Sequence, residues 1–186
     1  IYGQTNSDVV KKFGLKGIIQ NRSVDVVIGG PPCQAYSIAG RAQDKNSMKD
    51  DYRNYLFESF VKVVDEFRPK LFVFENVPGI LTAKPGEKLV IDRIFEAFSE
   101  IGYQIKEAKR LKEATYTASD FGVPQNRRRA FFVGTKNRKE FVFPTPTTEN
   151  PISAEEAISD LSENTIKDGS KYKTEPKSDY QKLIRG

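Results

Sequence analysis

The sequence predicts an α/β fold in which short parallel strands alternate with helices and an antiparallel hairpin follows. Three apolar runs carry this prediction: residues 24–28, 71–74 and 130–134. The first two are short and almost continuously apolar, as in strands that are buried within a parallel sheet. A helical pattern lies between them, which is the arrangement of a β-α-β unit.

Two stretches have the apolar spacing of helices with one buried face. Residues 55–67 form the first, which we interpret as the crossover between the two parallel strands. Residues 88–101 form the second, and Gly102 is a suitable C-terminal stop. Residues 103–117 alternate irregularly, and we expect them to pair with 130–134 as an antiparallel hairpin.

The character of the sequence changes after residue 143, where prolines punctuate a connector. Ser153 and Glu156 then have the spacing of a capping box that opens a short helix. Residues 162–179 are polar and rich in lysine, which predicts a flexible segment. We therefore expect one domain over residues 1–143, followed by the connector, short helix and flexible segment over 144–186.

Chemically distinctive residues lie at one end of each predicted strand. Cys33, the single cysteine, follows the turn Gly29-Gly30-Pro31-Pro32, which restricts the backbone and lets a ligand approach closely. Glu75 and Asn76 end the second strand, and Gln125-Asn126-Arg127-Arg128-Arg129 precedes the third. If the third strand runs antiparallel to the first two, all three clusters converge at one edge of the sheet, where α/β proteins bind ligands.

Each cluster alone has an ordinary explanation. A lone cysteine is usually a small buried hydrophobe, a glutamate after a strand is usually solvated, and a basic run usually forms a solvated face. Strand alternation would place Arg127 and Arg129 on one face and Arg128 on the other. The three clusters together, in this order, favour a catalytic site.

The three clusters resemble the motifs of the DNA cytosine-5 methyltransferases. The matching segments are Gly29 to Gln34, Glu75-Asn76-Val77 and the Gln-x-Arg-x-Arg pattern from Gln125 to Arg129, with a similar approach over residues 118–124. The resemblance covers residues 17–161 strongly. It implies the second half of a Rossmann-like sheet of an S-adenosylmethionine-dependent methyltransferase, with a C-terminal antiparallel hairpin.

The resemblance also implies catalytic roles for four residues. Cys33 would be the nucleophile that adds to C6 of cytosine, because covalent addition activates the weakly nucleophilic C5. Glu75 would interact with ring N3 and the exocyclic amine. Arg129 would contact the cytosine O2, and Arg127 would help to organise Glu75.

Further residues are expected to bind the methyl donor and DNA. Pro32 and Leu56 match positions near S-adenosylmethionine. Residues 34–55 form a long polar segment that we interpret as a loop able to close over a phosphate backbone after the target base is extruded from the duplex. The expected DNA contacts are Gln34, Ser37, Arg41, Asn76 and Gln125.

The chain lacks a glycine-rich Gly-x-Gly turn, which is the main donor-binding motif of such enzymes. We therefore expect a fragment that is inactive alone, with target recognition lying downstream. The net charge of +5 permits DNA binding, and one cysteine suits a reducing compartment. The absence of histidine excludes a Cys-His hydrolase site and a histidine-based metal site within this chain. No metal is expected.

The expected setting is a bacterial restriction-modification system, with double-stranded DNA as substrate and a restriction endonuclease as functional partner. No apolar run is long enough to cross a membrane, and we expect a cytoplasmic monomer. Two alternatives stay open: a methyltransferase relative that acts on tRNA, and an inactive methyltransferase-like module that binds DNA. A thiol redox protein is disfavoured, since the chain has no resolving cysteine.

Overall fold

The computed structural model describes residues 8–20, 22–32, 56–105, 114–136, 141–161 and 174–185. Five strands lie in these ranges: β1 (Val26–Gly29), β2 (Leu71–Asn76), β3 (Gln104–Ile105), β4 (Thr115–Thr117) and β5 (Arg128–Thr135). They form one sheet in the order β1-β2-β5-β3, and β4 also pairs with β5. The α/β class and the mixed sheet that the sequence predicts are confirmed.

The described α-helices are α1 (Asp8–Ile19), α2 (Leu56–Phe67), α3 (Val90–Glu100), α4 (Ala154–Ile158) and α5 (Asp179–Arg185), and short 3-10 helices lie at Pro78–Leu81 and Ala118–Phe121. The two helices predicted from apolar spacing are α2 and α3, each within two residues of its expected ends. Gly102 follows α3 with φ 83°, a left-handed conformation that suits glycine, and confirms the predicted stop. None of these helices has the length and apolar character needed to span a bilayer, within the described ranges.

The strand directions are those that convergence of the motifs requires. β1 and β2 are parallel, with Gly29 opposite Phe74 at the last pair of their ladder. β5 runs antiparallel to β2, with Asn76 opposite Ala130. The start of β5 therefore lies beside the end of β2.

The core lies between one face of β2 and the two helices α2 and α3. Phe72 and Phe74 are fully buried on this face, and Phe72 stacks on Phe98 of α3 with ring centroids 4.0 Å apart. Phe60 of α2 meets Phe74 edge-on, with centroids 5.4 Å apart. Aromatic rings thus fill the space between the sheet and both helices, which fixes the position of β2 and of the residues at its end.

The prediction that β1 is a buried strand is wrong. Val26 is 48% exposed and Ile28 is 73% exposed. In the described part of the chain β1 pairs with β2 on one side and forms the edge of the sheet. An apolar run predicts a strand, but burial depends on which elements cover it.

Contacts between residues divide the chain into two units. Residues 1–115 and 129–142 form the first, and residues 116–128 and 143–186 form the second. Within the second, Tyr116 contacts the rings of Phe121 and Phe143, with centroids 5.5 and 6.2 Å away. The amides of Thr147 and Thr148 donate to the Asp120 carbonyl at 2.9 and 3.2 Å.

Two helices of the second unit are joined by polar contacts. The capping box of α4 is confirmed, since Glu156 and Ser153 exchange side-chain-to-backbone hydrogen bonds of 2.8 and 3.1 Å. Gln181 of α5 is fully buried and donates to the Glu156 carbonyl at 2.8 Å. Part of the segment predicted to be flexible, residues 174–179, packs here, whereas 162–173 lie outside the described residues.

Candidate active site

Glu75 lies at the end of β2, on the face opposite the phenylalanine core. Strand alternation places Phe72, Phe74 and Asn76 toward α2 and α3, so the carboxylate between them points the other way. Its side chain is 31% exposed. A Cβ added at Gly30 would lie 2.5 Å from Glu75 Oε2, so the carboxylate rests against the backbone that follows β1. A side chain at position 30 would displace the carboxylate from this place.

Arg129 is the ion-pair partner of Glu75. Phe131 is opposite Glu75 in the ladder, and Arg129 lies two residues earlier on the same face of β5, which makes it a diagonal neighbour. Its Nε lies 2.6 Å from Glu75 Oε1, and its side chain is 22% exposed. Register alone therefore brings together a carboxylate and a guanidinium that are far apart in sequence.

Asn76 points to the opposite face and is 3% exposed. Its Nδ2 donates to the Pro31 carbonyl at 3.3 Å, and its Oδ1 accepts from the Val77 amide at 2.9 Å. Both ends of the amide are engaged inside the chain. This placement does not favour the direct DNA contact that the sequence predicts for Asn76.

A groove opens beside the end of β1. It has a volume of about 1040 Å³ and contains both residues expected near the methyl donor, Pro32 and Leu56. Ile28 and Phe60 contribute apolar side chains to its lining. Lys16 of α1 and Glu66 of α2, which form an ion pair, also line it. Small-molecule sites are typically mostly apolar and about 300–1,000 Å³ in volume. The groove is therefore large enough to hold a small molecule.

The structure brings together only some of the predicted site residues. Glu75, Arg129, Pro32 and Leu56 lie in the first unit. Cys33, Gln34, Ser37 and Arg41 lie outside the described residues, and their roles stay predictions.

Gln125 and Arg127 belong to the second unit, where both side chains are exposed. The Ala118 amide donates to the Arg127 carbonyl at 2.9 Å, so Arg127 takes part in the turn that leads into β5. Because β5 begins at Arg128, strand alternation does not decide where Arg127 points.

Sequence reasoning did not find the contribution of Gly30. The pair Gly29-Gly30, which spans the end of β1, indicates a close approach, but the sequence does not say which group approaches. The structure shows that the approaching group is the carboxylate of Glu75.

Within the described ranges, no three side chains among His, Cys, Asp and Glu cluster as a metal site would require.

The profile of the C-5 cytosine-specific DNA methylases matches residues 3–185 of the chain. The chain belongs to this family. The membership agrees with the resemblance of the three motifs to this family.

Two bacterial relatives show how much of the family's length the chain spans. It is 44% identical over 146 residues to the Type II methyltransferase M.Bpa9945I of Bacillus paralicheniformis, covering 75% of this chain and 32% of the relative. It is 40% identical over 172 residues to the Type II methyltransferase M.DdeI of Desulfomicrobium norvegicum, covering 87% and 39%. The chain thus spans about a third to two fifths of the length of these methylases.

Two solved structures share the fold. A prophage-encoded protein of Escherichia coli, provisionally assigned as a DNA modification methyltransferase, matches with a TM-score of 0.58 and 30% identity over 80% of this chain and 38% of that one. The methyltransferase EhMeth of Entamoeba histolytica matches with a TM-score of 0.50 and 17% identity over 86% of this chain and 51% of that one. The second likeness concerns the fold alone.

Proposed function

We propose that the protein to which this chain belongs transfers a methyl group from S-adenosylmethionine to C5 of a flipped-out cytosine in double-stranded DNA. The observation that carries the proposal is the placement of Glu75. Its carboxylate lies between the guanidinium of Arg129 and the backbone at Gly30, in a chain of the C-5 cytosine-specific DNA methylase family.

The chemistry begins with Cys33. Its thiolate adds to C6 of the cytosine, a bond forms between sulfur and C6, and electron density moves to C5 as an enamine. Glu75 hydrogen-bonds N3 and the exocyclic amine and favours a proton on N3, which neutralises the electron density that enters the ring, and Arg129 holds the O2. C5 then takes the methyl group as the bond between that group and the donor sulfur breaks, which leaves S-adenosylhomocysteine. The C5 proton passes to water, and the sulfur–C6 bond breaks to restore the aromatic ring and the thiolate.

The ion pair between Glu75 and Arg129 supports the pairing of their roles. A guanidinium carries a fixed charge and a planar fork of donors, so it holds a carboxylate in one orientation better than a lysine would. Contact with Gly30 restricts the other carboxylate oxygen. The acidic group is therefore oriented before substrate arrives, which avoids reorganisation during the reaction.

S-adenosylmethionine, when bound, supplies a methyl group on a positively charged sulfur. The apolar groove beside Pro32 and Leu56 is large enough for part of this molecule and lies next to the turn that precedes Cys33. Pro32 and Leu56 would hold the donor, while Gly30 keeps the neighbouring wall free of side chains.

The DNA duplex hides C6 of cytosine, so the base must be extruded before the thiol can reach it. Gln34, Ser37, Arg41 and Gln125 are the proposed contacts to the opened DNA. The sequence identity of 40–44% to bacterial Type II methyltransferases supports a restriction-modification setting, with a restriction endonuclease as functional partner. We further propose a cytoplasmic monomer, and no activity of residues 1–186 by themselves.

The test uses the full-length protein, S-adenosylmethionine and DNA carrying 5-fluorocytosine. Fluorine at C5 cannot leave as a proton does, so the covalent intermediate should persist as a denaturation-resistant adduct. The adduct should require both the donor and Cys33, and Cys33→Ser should abolish it. A parallel reaction with 5-fluorocytosine in tRNA tests the RNA alternative: an adduct with RNA alone would overturn the DNA proposal, and no adduct with either would favour the inactive module.

A further inference from the structure

Asn76 joins the ends of two strands through its side-chain amide. Its Nδ2 donates to the Pro31 carbonyl at 3.3 Å, across 45 residues of sequence, and its Oδ1 accepts from the adjacent Val77 amide at 2.9 Å. The side chain is 3% exposed. A buried amide that has partners at both ends is held in one orientation, because losing either bond would leave a polar group unsatisfied.

The backbone cannot make this connection by itself. The ladder between β1 and β2 ends at the pair Gly29 and Phe74, one residue before Gly30. Pro31 and Pro32 have no amide hydrogen, so they cannot donate to β2. The carbonyl of Pro31 can only accept, and Asn76 supplies a donor beyond the last ladder pair.

We propose that Asn76 is a positioning residue that holds the Pro31–Pro32 turn against the end of β2, and thereby sets where the chain enters the segment that begins with Cys33. The inference rests on the proposed function. Adjacent residues of β2 then have complementary tasks, since Glu75 faces the site and Asn76 faces the interior. The position of the carboxylate and the position of the turn are fixed by the same strand end.

The decisive variant is Asn76→Asp in the full-length protein. Aspartate has almost the same shape and keeps an acceptor for the Val77 amide, but it places an oxygen where the donor to Pro31 was. Because displacements near 1 Å cost up to about 100-fold in rate, we expect kcat to fall about 10- to 100-fold while KM for DNA changes less than about threefold. Asn76→Ala should show the same split between kcat and KM.

Tyr103→Phe is the matched control. The Tyr103 hydroxyl donates to the Pro69 carbonyl at 2.6 Å, and the side chain is 1% exposed. Like the bond from Asn76 to Pro31, this is a hydrogen bond from a buried side chain to a proline carbonyl of the same unit. Pro69, however, precedes β2 and lies at the end of the strand away from Glu75. Loss of the Tyr103 hydrogen bond in Tyr103→Phe should lower the melting temperature and leave kcat unchanged.

The outcomes separate the alternatives. An unchanged kcat in folded Asn76→Asp, with a loss of melting temperature like that of Tyr103→Phe, would overturn the positioning role. A raised KM for DNA at constant kcat would overturn it in favour of a DNA contact. The rate of adduct formation with 5-fluorocytosine DNA distinguishes the two proposals: no adduct with the unmodified protein defeats the proposed function, whereas equal rates with and without Asn76→Asp defeat only this inference.

Discussion

Gly30→Ala tests whether the contact between Glu75 and the end of β1 matters for catalysis. The new Cβ would lie 2.5 Å from Glu75 Oε2, and raising that separation to the 3.4 Å of an ordinary contact requires a shift of about 0.9 Å. The ion-pair distance from Arg129 Nε to Glu75 Oε1 is 2.6 Å. A shift of that size away from Gly30 can stretch the ion pair beyond the roughly 3.2 Å limit of a good hydrogen bond.

The expected loss is large in activity and small in stability. A misplacement of about 1 Å in a catalytic group costs about 100-fold, so kcat/KM for methyl transfer should fall about 100-fold, which corresponds to about 2.7 kcal/mol of transition-state stabilisation. Gly30 is exposed and Glu75 is 31% exposed, so the displaced carboxylate can move into solvent. The melting temperature should therefore change little.

The assay uses the full-length protein and measures transfer of labelled methyl groups to DNA, together with thermal unfolding followed by circular dichroism. Gly134→Ala provides the contrast, because its Cβ would overlap the ring of Phe72, which stacks on Phe98 at 4.0 Å and cannot yield. Overpacking of this kind costs about 1–3 kcal/mol of stability. Wild-type turnover in Gly30→Ala would refute the argument, as would a loss of stability equal to that of Gly134→Ala.

Two further predictions concern the second unit. Arg185→Ala leaves the carboxylate of Asp160, which is 5% exposed, without its ion-pair partner. We expect the unit to lose about 3–5 kcal/mol of stability, measured by urea unfolding followed by circular dichroism. An unchanged unfolding midpoint would contradict this. Ser153→Ala removes the cap of α4 and should cost about 1 kcal/mol at pH 7. The backbone amide of Ser153 and, to a smaller extent, its side chain lower the pKa of Glu156, so this stabilisation is present above the ordinary pKa of a glutamate and is lost as pH falls through the lowered value. Alanine keeps the backbone amide, so Ser153→Ala loses only the smaller, side-chain part of this pH-dependent stabilisation. Its effect should therefore be slightly smaller at acidic pH, and a larger effect there would contradict the assignment.

The sequence was sufficient to predict the strand ends that form the site. Short apolar runs followed by turn residues identified β1 and β2, and the predicted direction of the third strand brought the three clusters to one edge of the sheet. The ion-pair partner of Glu75 was not predicted, because the organising role was expected of Arg127 and the structure pairs Glu75 with Arg129. The exposure of Ile28 was not predictable, since periodicity reports the type of an element and not its neighbours. The role of Asn76 also escaped prediction, because it depends on how far the turn after β1 extends beside β2.

The missed helix α5 had a signal in the sequence. Ser178 and Gln181 have the spacing of a capping box, and the structure shows the reciprocal bonds, from the Gln181 amide to Ser178 Oγ at 3.1 Å and from the Ser178 amide to Gln181 Oε1 at 3.3 Å. The polar, lysine-rich composition of the preceding segment outweighed this local pattern. Composition averages over a window, whereas a cap depends on two residues.

The packing that holds the core also determines which residues meet at the site. On the face of β2 that meets the helices, Phe72 is opposite Gly134 and Phe74 is opposite Phe132. A slip of two residues that placed Phe132 opposite Phe72 would put a second ring into the space that the ring of Phe72 itself fills over Gly134, whereas a slip of one would turn the apolar side chains of β5 to the other face. The observed register avoids both, and it places Arg129 diagonal to Glu75. The glycine that admits Phe72 therefore helps to place a guanidinium beside the carboxylate at the strand's far end, so the stability of the core and the geometry of the proposed site depend on the same alignment.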